Sequence, residues 1–148
     1  MSNVRESRMQ CEYVKNNLVL NAKFSADEVE AFKLQFKAVL DEASTSKGIV
    51  YVFTAQKNIP RLKGESNIIY IGQTSQSLYK RYISKVWHEA KYFWPRYNYI
   101  ISNFGHISIE IYETSAPKIT ESKFLYQYQC AHLELPPINL DSYQEKYL

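Results

Sequence analysis

A chain of 148 residues is the size of one domain and long enough to bury a core of its own. Hydrophobic residues make up 45%, tyrosine alone numbers 13, and only 4 glycines and 5 prolines are present; this excludes a disordered or linker-rich chain. The net charge of +3 permits a nucleic-acid partner without requiring one, because a basic face can sit opposite acidic patches. Cys11 and Cys130 are too few and too far apart for a disulfide framework or a zinc site, and are expected to be reduced thiols. The first residues, Met1 to Met9, are polar, so no secretory signal is expected. No apolar run approaches membrane-spanning length. The expected location is the cytoplasm.

In chain order, Val4 to Asn17 is polar and reads as a helix or an arm. Ser25-Ala26-Asp27-Glu28 carries a capping-box signature. Behind it Val29, Phe32, Phe36, Val39 and Leu40 recur at helical spacing, which predicts a helix from about Ala26 to Glu42. Ile49 to Thr54 is β-branched and aromatic, and predicts a strand. Gln56 to Ser66 reads as a polar loop. Asn67 to Gly72 predicts a second strand, antiparallel to the first. Ser77 to Trp94 predicts a helix stopped by Pro95, and Tyr97 to Ser102 fits either strand or helix. His106 to Tyr112 alternates as a half-buried strand does. Lys118 to Glu134 predicts a last helix, ended before Pro136-Pro137. The expected fold class is α+β, a small central antiparallel sheet flanked by helices. The whole chain, 1–148, is expected to be a single domain. Its parts are an N-terminal helical extension over 1–46, a main module over 48–139 and a tail over 140–148.

Tyr51 and Tyr70 lie on the two predicted strands and reach one face if those strands are neighbours. Tyrosines in strands are mostly packing residues, so their context decides: Tyr70-Ile71-Gly72, then Thr74, Leu78 and Arg81. Gly72 is placed where a side chain would block access to a bound phosphate. Arg81, Lys85 and His88 share one stripe at helical spacing. Such a stripe is either a solvated basic face or a phosphate site. In the second case Arg81 clamps the phosphate and Lys85 or His88 assists, because the arginine fork matches phosphate oxygens and its charge is permanent. His106 and His132 lack a metal-type neighbour at useful spacing and read as structural. Trp87, Tyr92, Phe93, Trp94, Tyr97 and Tyr99, with Lys91 and Arg96, are core or a surface that stacks on bases. Arg96 is a candidate phosphate contact.

Gly48-Ile49-Val50-Tyr51 together with Tyr70-Ile71-Gly72-Gln73-Thr74, Arg81 and Pro136-Pro137-Ile138-Asn139 resembles the GIY-YIG endonuclease family. The resemblance covers 48–139. It implies a stand-alone nuclease of the restriction, phage or mobile-element type that cuts DNA, expected to be double-stranded, with magnesium or manganese. It implies that Tyr51 deprotonates the attacking water, that Tyr70 orients water or phosphate, that Arg81 stabilises the transition state and that Asn139 completes the module. A monomer is expected if one strand is nicked and a homodimer if both are cut.

Four departures stand out. The first motif is one residue longer than Gly-Ile-Tyr. The stretch between the motifs is long and basic, with Lys57, Arg61 and Lys63 expected to hold DNA beside the tyrosines. Lys85 stands where the family commonly has histidine or tyrosine. Finally, the family's metal-binding glutamate precedes its asparagine by about three helical turns, and the count back from Asn139 reaches Gln127. Three expectations result: a nuclease with its ligand neutralised at Gln127, a natural non-catalytic DNA-binding relative, or a shifted helix with Glu121 as the metal ligand.

Overall fold

The computed structural model describes residues 9–148. The Val4–Arg8 part of the predicted helix or arm, and the start of the 1–46 extension, lie outside them. Four antiparallel strands form one sheet in the order β1-β4-β2-β3. These are β1 (Val14–Val19), β2 (Ile49–Pro60), β3 (Glu65–Thr74) and β4 (Ile107–Thr114). The helices are α1 (Val29–Glu42), α2 (Leu78–Tyr82), α3 (Val86–Tyr92), α4 (Trp94–Phe104) and α5 (Pro117–His132). The α+β class with a central antiparallel sheet is therefore the observed one. Among the described residues no helix is long and apolar enough to cross a membrane, and Cys11 and Cys130 are unpaired.

Alternation along β2 sends Tyr51, Phe53 and Ala55 to one face and Val50 and Val52 to the other. The first face is covered by α1 through α4. Phe32, Phe36, Val39 and Leu40 of α1 are its buried stripe. Phe24, Phe32, Phe36, Phe53 and Tyr97 interlock there with ring centroids 4.9–5.9 Å apart. The second face packs against Phe124, Leu125 and Tyr128 of α5. The molecule is thus three layers deep, with the sheet in the middle.

Residues 9–46 hold the predicted helix as α1, but they are more than a helical extension. They supply β1 to the sheet, paired with β4, and Phe24 to the centre of the core. The polar reading there has a physical cause. β1 is an edge strand with several exposed residues, and Asn16 and Asn17 donate to Glu113 and Glu110. α1 begins three residues later than predicted, because Glu28 and not Ser25 caps it by accepting from the Ala31 amide at 3.0 Å. Ser25 is instead held by Gln35.

The segment 56–66 is not a loop. β2 runs to Pro60 and β3 starts at Glu65, so the stretch is an extended hairpin closed by a tight turn, with the Arg61 amide donating to the Gly64 carbonyl at 2.9 Å. The helix predicted over 77–94 is broken into α2, a short 3₁₀ turn (Ile83–Lys85) and α3. Pro95 does not stop it; the proline opens α4, in the first turn, where its missing N–H costs nothing. Tyr97 to Ser102 is helical.

Candidate active site

Tyr51 stands opposite Gly72, and Phe53 opposite Tyr70. Directly opposed residues share a face, so Tyr70 lies on the face of Phe53 and Tyr51 by plain alternation; Thr54 is then opposite Ile68, which makes Ile69 an extra residue on β3, a bulge just beyond Tyr70. The two tyrosine rings lie 5.9 Å apart. Gly72 explains the closeness. A β-carbon there would sit 2.5–2.7 Å from Cε2, Cζ and Oη of Tyr51. Gly72 is thus a floor for the Tyr51 ring, inside β3, and not a doorway for phosphate at a strand end.

A cavity of about 710 Å³ opens over this corner. Tyr51 comes to it from β2, Tyr70 from β3, Arg81 and Tyr82 from α2, Glu89 from α3 and Glu121 from α5. The cavity wraps the outer edge of β3, which is how α5, from the far layer, reaches residues of the near one. Segment 138–144 closes its rim. Ile138 donates to the Ile69 carbonyl at 2.9 Å. Asn139 accepts from the Ile71 amide and donates to the Ile71 carbonyl, both at 2.9 Å. Its side chain imitates a paired strand, with one amide N–H and one oxygen lone pair spent on Ile71, so Asn139 positions the rim.

Glu121, and not Gln127, faces the tyrosines and Arg81. Gln127 lies six residues along α5, about 9 Å further and about 240° around. It is exposed, and its amide donates to the Gln10 carbonyl at 2.7 Å. Counting turns back from Asn139 leads there only if the chain is helical throughout. α5 ends at His132, where Leu133 takes the left-handed conformation with φ 62°, and the following residues are not helical.

Burial is the main influence on charge in the cavity. It pushes the Glu121 carboxyl up to about 7, helped by neighbouring Asp141 and opposed by Arg81. Burial likewise pushes Glu89 up to about 7, against the attraction of Arg81 and Lys85. Tyr51 is 1% exposed, and its hydroxyl shares a hydrogen bond with that of Tyr82 at 3.2 Å. Burial drives the Tyr51 phenol far above its usual value, and Tyr70 moves the same way. Tyr82 and Glu89 were not singled out in the sequence. The signal for Tyr82 was its place directly after Arg81. That for Glu89 was its standing as the only acid between Ile83 and Phe104.

The remaining candidates are placed elsewhere. Because the helix breaks, Arg81, Lys85 and His88 do not form one stripe. Lys85 and His88 are exposed outside the cavity wall, and His88 stacks on Tyr92 with centroids 4.6 Å apart. Lys57, Arg61 and Lys63 belong to the far part of the hairpin, roughly 20 to 35 Å along β2 from Tyr51 at strand spacing. Arg61 is a structural clamp. It pairs with Glu134 at 3.1 Å and donates to the Leu135 carbonyl at 2.9 Å. Arg96 is exposed, over the ring of Phe93. His132 is bonded to the Lys63 carbonyl and packed on Tyr128. Among the described residues no three histidines, cysteines or acids cluster as a closed metal cage. Comparison with family models, with curated proteins and with solved structures finds no match.

Proposed function

We propose that this chain hydrolyses phosphodiester bonds in DNA with a divalent cation, magnesium or manganese, held at Glu121. One observation carries the reading: Tyr51, Tyr70, Arg81 and Glu121 come from four elements to a single open cavity. Tyr51, Tyr70 and Arg81 are the residues that resemblance to the GIY-YIG family singles out, although the role assigned to Tyr51 below differs from the proton acceptor that the resemblance implies.

Hydrolysis needs a positioned water, a proton acceptor and positive charge for the developing anion. Arg81 supplies permanent charge in a fork that fits two phosphate oxygens. Magnesium keeps several waters and takes one or two carboxylates plus substrate phosphate. Glu121 with Asp141 beside it fits that demand, and a neutral amide such as Gln127 would not. When bound, the cation supplies charge to the phosphate and the leaving oxygen. The Tyr51 phenol, pushed so far up by burial, keeps its proton near neutrality. Its assignment here is to orient the water through its hydroxyl, with Tyr70 beside it. Glu89, near 7 on the same wall, has the proton affinity of a working general base.

The test is plasmid cleavage with magnesium by the wild type, Glu121→Gln and Gln127→Glu. The wild type cuts, Glu121→Gln loses about 100-fold or more, and Gln127→Glu leaves the rate unchanged. A folded wild-type chain that binds DNA but cuts no sequence with any of several divalent metals would leave the non-catalytic DNA-binding module as the better reading.

A further inference from the structure

The basic aromatic surface beside the cavity is not core. Val86 and Ala90 are the buried side of α3, so Trp87, His88, Lys91 and Tyr92 share the opposite side. Trp87 is 61% exposed and Tyr92 56%, a large apolar area to leave in water. The Lys91 amine lies 4.8 Å from the Trp87 ring centre and 5.3 Å from that of Tyr92. Arg96 lies 5.7 Å from the ring centre of Phe93, and His88 also reaches Phe93. Phe93 in turn lines the cavity. Rings and cations therefore run without a break from Trp87 to the cavity wall. The one acid of this stretch, Glu89, points into the cavity and not onto the surface.

We propose that α3 and the start of α4 form a base-stacking platform that holds a single-stranded stretch of DNA leading into the cavity; this rests on the nuclease reading above. The charge complements a phosphate backbone. The rings offer faces for unstacked bases, each about 1–3 kcal/mol when stacked. A duplex keeps its base faces to itself and would use only the cations.

The chain has 2 tryptophans, so Trp94→Phe leaves Trp87 as the sole reporter. In a chelating buffer, a short thymidine oligonucleotide should quench Trp87 saturably, and an abasic strand of equal charge should do so weakly. Trp87→Ala should weaken oligonucleotide binding about 5- to 100-fold, Trp87→Phe should keep most of it, and duplex binding should barely change. Lys91→Gln should lower the salt slope by about 0.7 for the single strand. Unchanged Trp87 emission when a labelled oligonucleotide is shown by anisotropy to be saturated would overturn the platform. So would equal losses on duplex and single strand, no binding of single strands at all, or a self-association that Trp87→Ala abolishes, which would make this face a contact between copies. Stacking on Trp87 without any cleavage would remove the nuclease reading alone.

Discussion

Glu89 and Glu121 are both raised to about 7 by burial, and that has a consequence for stability as well as chemistry. Each carboxyl binds a proton more tightly folded than unfolded. The stability it contributes is therefore complete below about pH 4.5 and is lost as pH rises through about 7. Glu89→Gln carries no such liability. Its urea midpoint should exceed that of the wild type at about pH 8, and the two should converge at about pH 5. If Glu89 is also the base, the cleavage rate of the wild type should fall below about pH 7, and Glu89→Gln should be slow at every pH. Gly72 carries the second prediction at this scale. Gly72→Ala brings a methyl against the buried Tyr51 ring, which is fixed by Tyr82, Phe53 and Tyr70. The expected loss is about 1–3 kcal/mol by chemical denaturation, with cleavage reduced further than the fraction unfolded explains. Normal stability in Gly72→Ala would mean that the ring moves freely.

Elements differ in how plainly the chain announces them. β2, β3 and β4 were legible in part, because strands buried on both faces read as continuous β-branched and aromatic runs, seen at 49–54 and 67–72, and a half-buried strand alternates, as at 106–112. α1 was legible from its apolar spacing, and the end of the last helix from Pro136-Pro137. β1 was not, since an edge strand with half its residues in water has no apolar alternation to show. The break between α2 and α3 has no glycine or proline to mark it. At the site, Tyr51, Tyr70 and Arg81 were readable from local motifs. That Glu121 and not Gln127 lines the cavity could be read only with the end of α5, set by a non-glycine residue, Leu133. Asn139 shows how an element without regular structure can still be tested. Its side chain pairs both polar groups of Ile71 on the β3 edge. Asn139→Ala should cost about 1–3 kcal/mol, speed hydrogen exchange at the Ile71 amide, and slow cleavage by loosening the rim. Unchanged exchange at Ile71 would show that the rim is held by other contacts.

On the scale of the whole molecule, the layers place one cavity at one sheet edge, and the far end of the hairpin is given over to structural contacts through Arg61, Glu134 and Leu135. On the nuclease reading proposed above, a cavity with one Arg81 and one Glu121 would serve one phosphate at a time, and the two strands of a duplex present their phosphates on separate backbones. A single chain should therefore nick. With supercoiled plasmid at low protein concentration, open circles should accumulate first, and linear DNA should appear only by a second, independent nick. If two copies act together, the ratio of linear to nicked product should rise steeply with protein concentration and track a dimer seen by sedimentation. Linear DNA as the first product of a chain that sediments as a monomer would be incompatible with a lone site, and would require a second phosphate-cleaving centre on the same molecule. Lys57 and Lys63 provide the control. Both are exposed, yet Lys57 lies in the far part of β2 and Lys63 in the turn beyond it, away from the cavity, so neutralising them should leave the nicking rate and its salt dependence unchanged, whereas Arg81→Ala should abolish most of the activity.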